Sequence, residues 1–180
     1  MAAPVNVTIP SSASVPLTDT QLGLPSGLNS EGWLTITSPG KLLMDCITFG
    51  DPAGRQYEST LPLQRAGADD IYFAQVATGD VGGVIYGTGL AIVNPSETTP
   101  VQVTVSVHNS DGTRNGNEVV RTLAPREKYV RQLAGIEGIG VLENQASGYI
   151  HVSADGPVLS FELFYDAGLN FLSAVQAQSR

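Results

Sequence analysis

The sequence predicts an all-β protein, an antiparallel β-sandwich with an internal partial repeat. Three observations carry that prediction. Apolar and polar residues alternate with period two, 20 glycines and 11 prolines cut the chain into short runs, and one stretch is written twice. Period two sends successive side chains to opposite faces of a strand. Short alternating runs between turn signals are the pattern of sandwiches and barrels.

Taken in order, strands are expected near residues 4–9, 13–17, 33–38, 41–49, 57–63, 71–77, 86–93, 101–108, 117–123, 128–133, 148–154, 157–165 and 171–177. The clearest is VQVTVSVH, residues 101–108. Its four valines point one way and Gln102, Thr104, Ser106 and His108 the other. A slip of one residue would expose all four valines, each worth about 1.5–3 kcal/mol of burial. The best helical candidate, EKYVRQLAG at 127–135, is bracketed by Pro125 and Gly138 and stays short. In NSDGTRNGN, Asp111–Gly112 and Asn115–Gly116 supply turn residues that tolerate positive φ. Gly40 in SPGK and Gly156 in ADGP occupy equivalent places, and each is expected to close a hairpin.

The duplicated stretch is GWLTITSPGKLLMDCITF, residues 32–49, matched without gaps by GYIHVSADGPVLSFELFY, residues 148–165. Glycine followed by an aromatic, an alternating run, a glycine-centred turn and a long apolar run recur in that order. The match extends to TIPSSASVPL (8–17) against TLAPREKYVRQL (122–133), and to YESTLPLQ (57–64) against NFLSAVQAQ (170–178). Residues 1–64 therefore correspond to the second half of a sandwich unit, 65–69 to a linker, and 70–180 to a complete unit. A half unit leaves an apolar face that needs cover from the rest of the chain or from another molecule.

Composition excludes several function classes. With 42% apolar and only 14% charged residues, the chain is too apolar for disorder. A net charge of −8, with Lys41 and Lys128 as the only lysines, disfavours nucleic acid and anionic lipid as partners. No apolar run approaches the ~20 residues of a membrane helix, so membrane insertion is not expected. The N-terminus MAAPVNVTIP has no leader pattern, which leaves a cytosolic chain or one whose leader is missing. The single cysteine, Cys46, forms no internal disulfide and reads as an inert buried thiol.

Chemistry-bearing clusters are sparse. His108 and His151 read as outward members of alternating strands rather than zinc ligands. Asn109, Asp111, Asn115 and Asn117 lack the spacing of a calcium loop; a Ca²⁺ near Asp69, Asp70 or Asp111 is the minor alternative. Asp45 is the odd carboxylate, aligned by the repeat with Phe161 on an expected core face, and it would need a partner or a raised pKa there. Glu162 aligns with Cys46 on the other face. A hydrolase would rest on Asp45 and Glu162 alone, with no triad and no nucleophile elbow, so no catalytic residue and no cofactor is assigned. Trp33 and Tyr149 are equivalent by the repeat and share a face with Thr35 and His151, an arrangement suited to stacking on a sugar ring.

Residues 71–113 carry aromatic-Phe-x-Gln-x-Ala, then Thr-Gly-aliphatic, Asn-Pro, and an alternating strand ending in Asp-Gly-Thr. Phe73, Gln75, Thr88, Gly89, Asn94, Pro95, Asp111, Gly112 and Thr113 fill those places. This pattern resembles the β-sandwich repeats of secreted and surface-attached bacterial proteins. The resemblance implies an immunoglobulin-like sandwich, an extracellular or cell-surface location, and a non-enzymatic structural, adhesion or assembly role exercised through sheet faces and edges. The uncharged strand from Ile71 to Ala77, with Ile71 and Phe73, would, if it lies at an edge, pair with protein partners or a second copy. The alternative is a carbohydrate-binding module whose glycan rests on Trp33 and Tyr149.

Overall fold

The computed structural model describes residues 4–24, 32–40, 46–50 and 58–179. Its contacts separate two units, Met1–Thr35 and Ile36–Arg180, taken here each by itself.

In the first unit the described residues form turns and extended chain but no strand. The Ala13 N–H bonds to the Pro10 carbonyl at 3.1 Å, and a second turn runs from Thr18, whose carbonyl accepts the Leu22 N–H at 3.0 Å. The strands expected at 4–9, 13–17 and 33–38 are therefore absent. Alternation is real here, yet Val5, Val7, Ile9, Val15 and Leu17 are all exposed. Pro4, Pro10 and Pro16 remove ladder donors at six-residue intervals. The apolar pattern states which face would be buried; it does not supply the neighbouring strand.

The second unit is all-β and antiparallel, with a single 3₁₀ turn at Leu133–Gly135 and no α-helix among the described residues. No helix there is long and apolar enough to cross a membrane. The strands are β1 (Cys46–Gly50), β2 (Glu58–Pro62), β3 (Ala68–Phe73), β4 (Gly79–Val81), β5 (Val84–Val93), β6 (Val101–His108), β7 (Val119–Leu123), β8 (Lys128–Gln132), β9 (Tyr149–Asp166), β10 (Leu172–Gln176) and β11 (Gln178–Ser179). β1 and β2 form their own hairpin, with Phe49 opposite Ser59.

β9 organises the rest. Its first half pairs with β3 on one side and β6 on the other, and β7 and β11 extend that first sheet. Its second half pairs with β5 and β10, and β8 and β4 lie along the far side of β5. The two sets enclose one core. β3 gives Ile71 and Phe73, β6 its four valines, β9 Ile150, Val152 and Val158, and β5 Leu90 and Ile92. Leu133, Ile136 and Ile139, in and after the 3₁₀ turn, belong to the same cluster.

The hairpin expected at Gly156 is instead a bend inside one continuous strand. β3 pairs Asp70 with Ser153 and then Ala68 with Val158, so Asp69 alone spans residues 154–157. Asp155 uses its carboxylate to accept the Gln102 N–H at 2.8 Å, holding the start of β6 to the bend. Residues suited to a tight turn also suit a bulge. The bulge wins because each half of β9 finds two outside neighbours, whereas a hairpin would leave each half with one.

The edge expected at Ile71–Ala77 is also corrected. β3 lies between β9 and the short β11, which pairs with Tyr72 and Ile71. Ile71 and Phe73 are 1% and 0% exposed. The uncharged run Ile71–Phe73 at the end of β3 signals burial inside a sheet rather than a free edge.

Candidate functional site

Two outward surfaces and one buried carboxyl stand apart from ordinary packing. On the first sheet, register brings side chains from three strands into one row. His108 of β6 faces Tyr149 of β9, and Tyr72 of β3 faces His151 of β9. The His108 and Tyr149 rings stack at 4.5 Å with planes 3° apart; Tyr72 and His151 stack at 4.4 Å and 9°. Tyr72 meets Tyr149 obliquely at 6.2 Å and joins the two pairs.

Hydrogen bonds fix the row at its histidines. His151 Nε2 lies 2.7 Å from Asp70 Oδ1, His108 Nε2 lies 3.0 Å from Ser106 Oγ, and His108 Nδ1 lies 3.3 Å from the Gly112 carbonyl. Gly148, just before β9, has φ at +136°, and a Cβ there would overlap the His108 carbonyl oxygen. Glycine before the aromatic is thus what lets Tyr149 approach β6. His108 stacks on Tyr149, while Tyr72 meets it at 45°.

On the second sheet the alternation of β9 runs inside out. Ser160 and Glu162 face inward and are 3% and 0% exposed, while Phe161, Leu163 and Tyr165 face outward and are half-buried. Outside, a groove of about 580 Å³ runs along β9, lined by Gly89, Val130, Leu163, Tyr165, Leu169 and Leu172 among others. The Tyr165 ring lies directly over Gly87 of β5, where a Cβ would come within 2.7 Å of it. Burial pushes the Tyr165 hydroxyl pKa up, partly offset by a hydrogen bond with Gln132.

Inside, Glu162 sits opposite Leu90 of β5 and Val175 of β10. Neither carboxyl oxygen has a hydrogen-bond partner among the described residues. Burial pushes its pKa up to about 8, so near neutral pH it carries its proton. Its neighbour Ser160 is satisfied, donating its hydroxyl to the Ala91 carbonyl at 2.8 Å.

The residues singled out in the sequence separate as follows. Tyr149 lies at the centre of the ring row. Trp33, 38% exposed, belongs to the first unit. Asp45 lies outside the described residues. Ile71 and Phe73 are core. Asp111 accepts the Thr113 N–H and hydroxyl, at 2.9 and 2.6 Å, and shapes its own turn. Asp70 pairs with His151. Among the described residues no three imidazole, thiol or carboxyl groups converge as a metal site. Missed by the sequence were Tyr72, Asp70 and Ser106 as partners of the histidines, and Glu162 as an inward group. The signal for the first set is the parity of VQVTVSVH, which already puts Ser106 beside His108 on the outer face.

No protein-family model and no curated protein matches the chain. Among solved structures it is similar to Thermotoga maritima 1070, with a TM-score of 0.50 and 16% identity over 63% of this chain and 96% of that one. It is also similar to the Anabaena sensory rhodopsin transducer, with a TM-score of 0.42 and 12% identity over 52% of this chain and 92% of that one. At such identities the first likeness speaks to fold alone.

Proposed function

We propose that the chain is a non-enzymatic module of the cell exterior, serving display, adhesion or assembly by docking a protein surface, a second copy of itself included, on the outer face of β5, β9 and β10. The inverted alternation of β9 carries this reading. Phe161 and Leu163 stand outward while Ser160 and Glu162 are buried, the reverse of what a solvated face requires. A groove with an apolar floor and a polar end at Tyr165 and Gln132 is the anatomy of a docking site. The extracellular location is supported by the resemblance of residues 71–113 to surface-protein repeats and is checked by fractionating the native cell. The immunoglobulin-like repeat reading is supported by matching register: Phe49 faces Ser59 in β1–β2 as Tyr165 faces Leu172 in β9–β10.

The test is association measured by light scattering over a wide concentration range. The native chain is expected to self-associate or to bind its exterior partner, and Leu163→Glu to do neither while keeping its β-sheet circular dichroism. A native chain that stays strictly monomeric and captures no surface protein overturns the proposal.

Glycan binding is the second reading. It is favoured by the row of stacked rings at Tyr149, Tyr72 and His151. Glycan-array binding lost in Tyr149→Ala would select it. An array with no signal removes it.

A further inference from the structure

We propose that Glu162 is a proton-operated latch on the seam between β9 and β10: carrying its proton it keeps β10 in the sheet and the groove complete, and losing it releases β10. This inference names a regulation of the docking groove and so rests on the reading given above. Its geometry comes from β9, where adjacent residues serve opposite faces. Leu163 lines the groove outside, and Glu162 is sealed inside with both carboxyl oxygens unpartnered.

Among the described residues, none beside Glu162 compensates a charge. Across the ladder stand Leu90 and Val175, with Ile92 and Ser173 flanking them on the same face. The opposing sheet contributes Ile71 and Phe73 to the core. Asp166, further along the inner face of β9, is engaged by the Asn170 N–H at 2.6 Å and the Phe171 N–H at 3.2 Å. Arg131, opposite Leu90 on β8, holds its guanidinium 5.3 Å from the Tyr129 ring centroid and is exposed. Tyr165 faces the groove. Burial alone raises the Glu162 pKa, and an ionised carboxylate in such a site demands water.

Water enters by the weakest wall. On one side β5 is packed tight, with Leu90, Ala91 and Ile92 at 1%, 2% and 0% exposure. On the other, every residue of β10 from Leu172 to Val175 is only half-buried, and Gln176 is exposed. β10 also accepts the β1–β2 hairpin, since the Ala174 N–H donates to Ser59 Oγ at 2.8 Å. Its release therefore removes Leu172 from the groove and unfastens that hairpin together.

Hydrogen exchange read by mass spectrometry, corrected for the intrinsic pH dependence of exchange, tests this without any partner present. Opening of the peptide covering 172–176 is expected to rise about tenfold per pH unit between the ordinary carboxyl range and about pH 8, then level off. Protection in β5 and β6 is expected to stay greater than that of β10 at every pH, because those strands exchange only through global opening. Glu162→Gln and Glu162→Met are both expected to abolish the slope, so that a folding defect in one does not decide the matter. A flat native profile, the same slope in both variants, or β5 and β6 opening with the same free energy as β10 overturns the latch. None of these outcomes depends on whether the groove binds a protein, so failure of the latch and failure of the docking role are separable.

Discussion

Individual side chains set the local rules. Asn94 is fully buried where β5 ends; its amide donates toward the Thr99, Leu123 and Ala124 carbonyls at 2.9–3.2 Å and its oxygen accepts the Ser96 N–H at 3.0 Å. Asn94→Ala leaves those carbonyls unpaired, and a loss of ~3 kcal/mol in urea denaturation is expected. Gly148→Ala is expected to cost at least as much, because both its φ and the His108 carbonyl forbid a Cβ. Two glutamates pull the pH dependence in opposite directions. Glu127 accepts the Ala124 N–H and pairs with Arg121, which lowers its pKa. It stabilises the fold above the ordinary glutamate range, and this is lost as acid protonates it. Glu162 is raised from 4.5 to about 8. The folded chain then binds more protons than the unfolded one between those values, so stability falls as pH rises through that window and is lowest above it. Glu162→Met is expected to flatten that slope and to raise the melting temperature at pH 8.5. Sequence alone misplaces Glu162, since in VLSFELFY the wholly apolar parity is Leu159, Phe161, Leu163 and Tyr165, and the neighbours of β9 turn the other parity inward.

Among the strands, legibility follows the strength of alternation. VQVTVSVH was readable end to end because four valines on one face admit a single register, and β6 spans those residues. β5, β7, β8 and β10 were likewise near their expected places. The long β9 was not, because ADGP carries the chemistry of a turn and a bulge equally, and the choice is made by β3, β6, β5 and β10. Asp155→Ala removes the acceptor of the Gln102 N–H at that bend. It is expected to cost about 1–2 kcal/mol and to speed exchange at Gln102 in particular. The ring row is a second property of strands in register. A double-mutant cycle on His108→Ala and Tyr149→Ala is expected to give a coupling of about 0.5–1.5 kcal/mol in denaturation. A coupling near zero would mean that the stacked pair adds nothing beyond its separate contacts. Tyr149 was recognisable from the repeat, whereas its partners lie in distant segments that no local spacing connects.

For the molecule entire, one strand belongs to both sheets and supplies the shared core. The two layers therefore cannot melt separately. Amides of β5 and β6 are expected to report the same global opening free energy in native-state exchange, and two distinct values would show independent layers. The all-β class was evident from composition and period, but the first 35 residues were not, because an apolar alternation without a neighbouring chain has nothing to pair with. The placement of β9 has a consequence during synthesis. β3, β5 and β6 emerge from the ribosome well before the segment that unites them, so their edges and apolar faces wait, unmatched, until β9 is made. A nascent chain ending before residue 149 is accordingly a set of orphan strands, open to wrong association until β9 joins them.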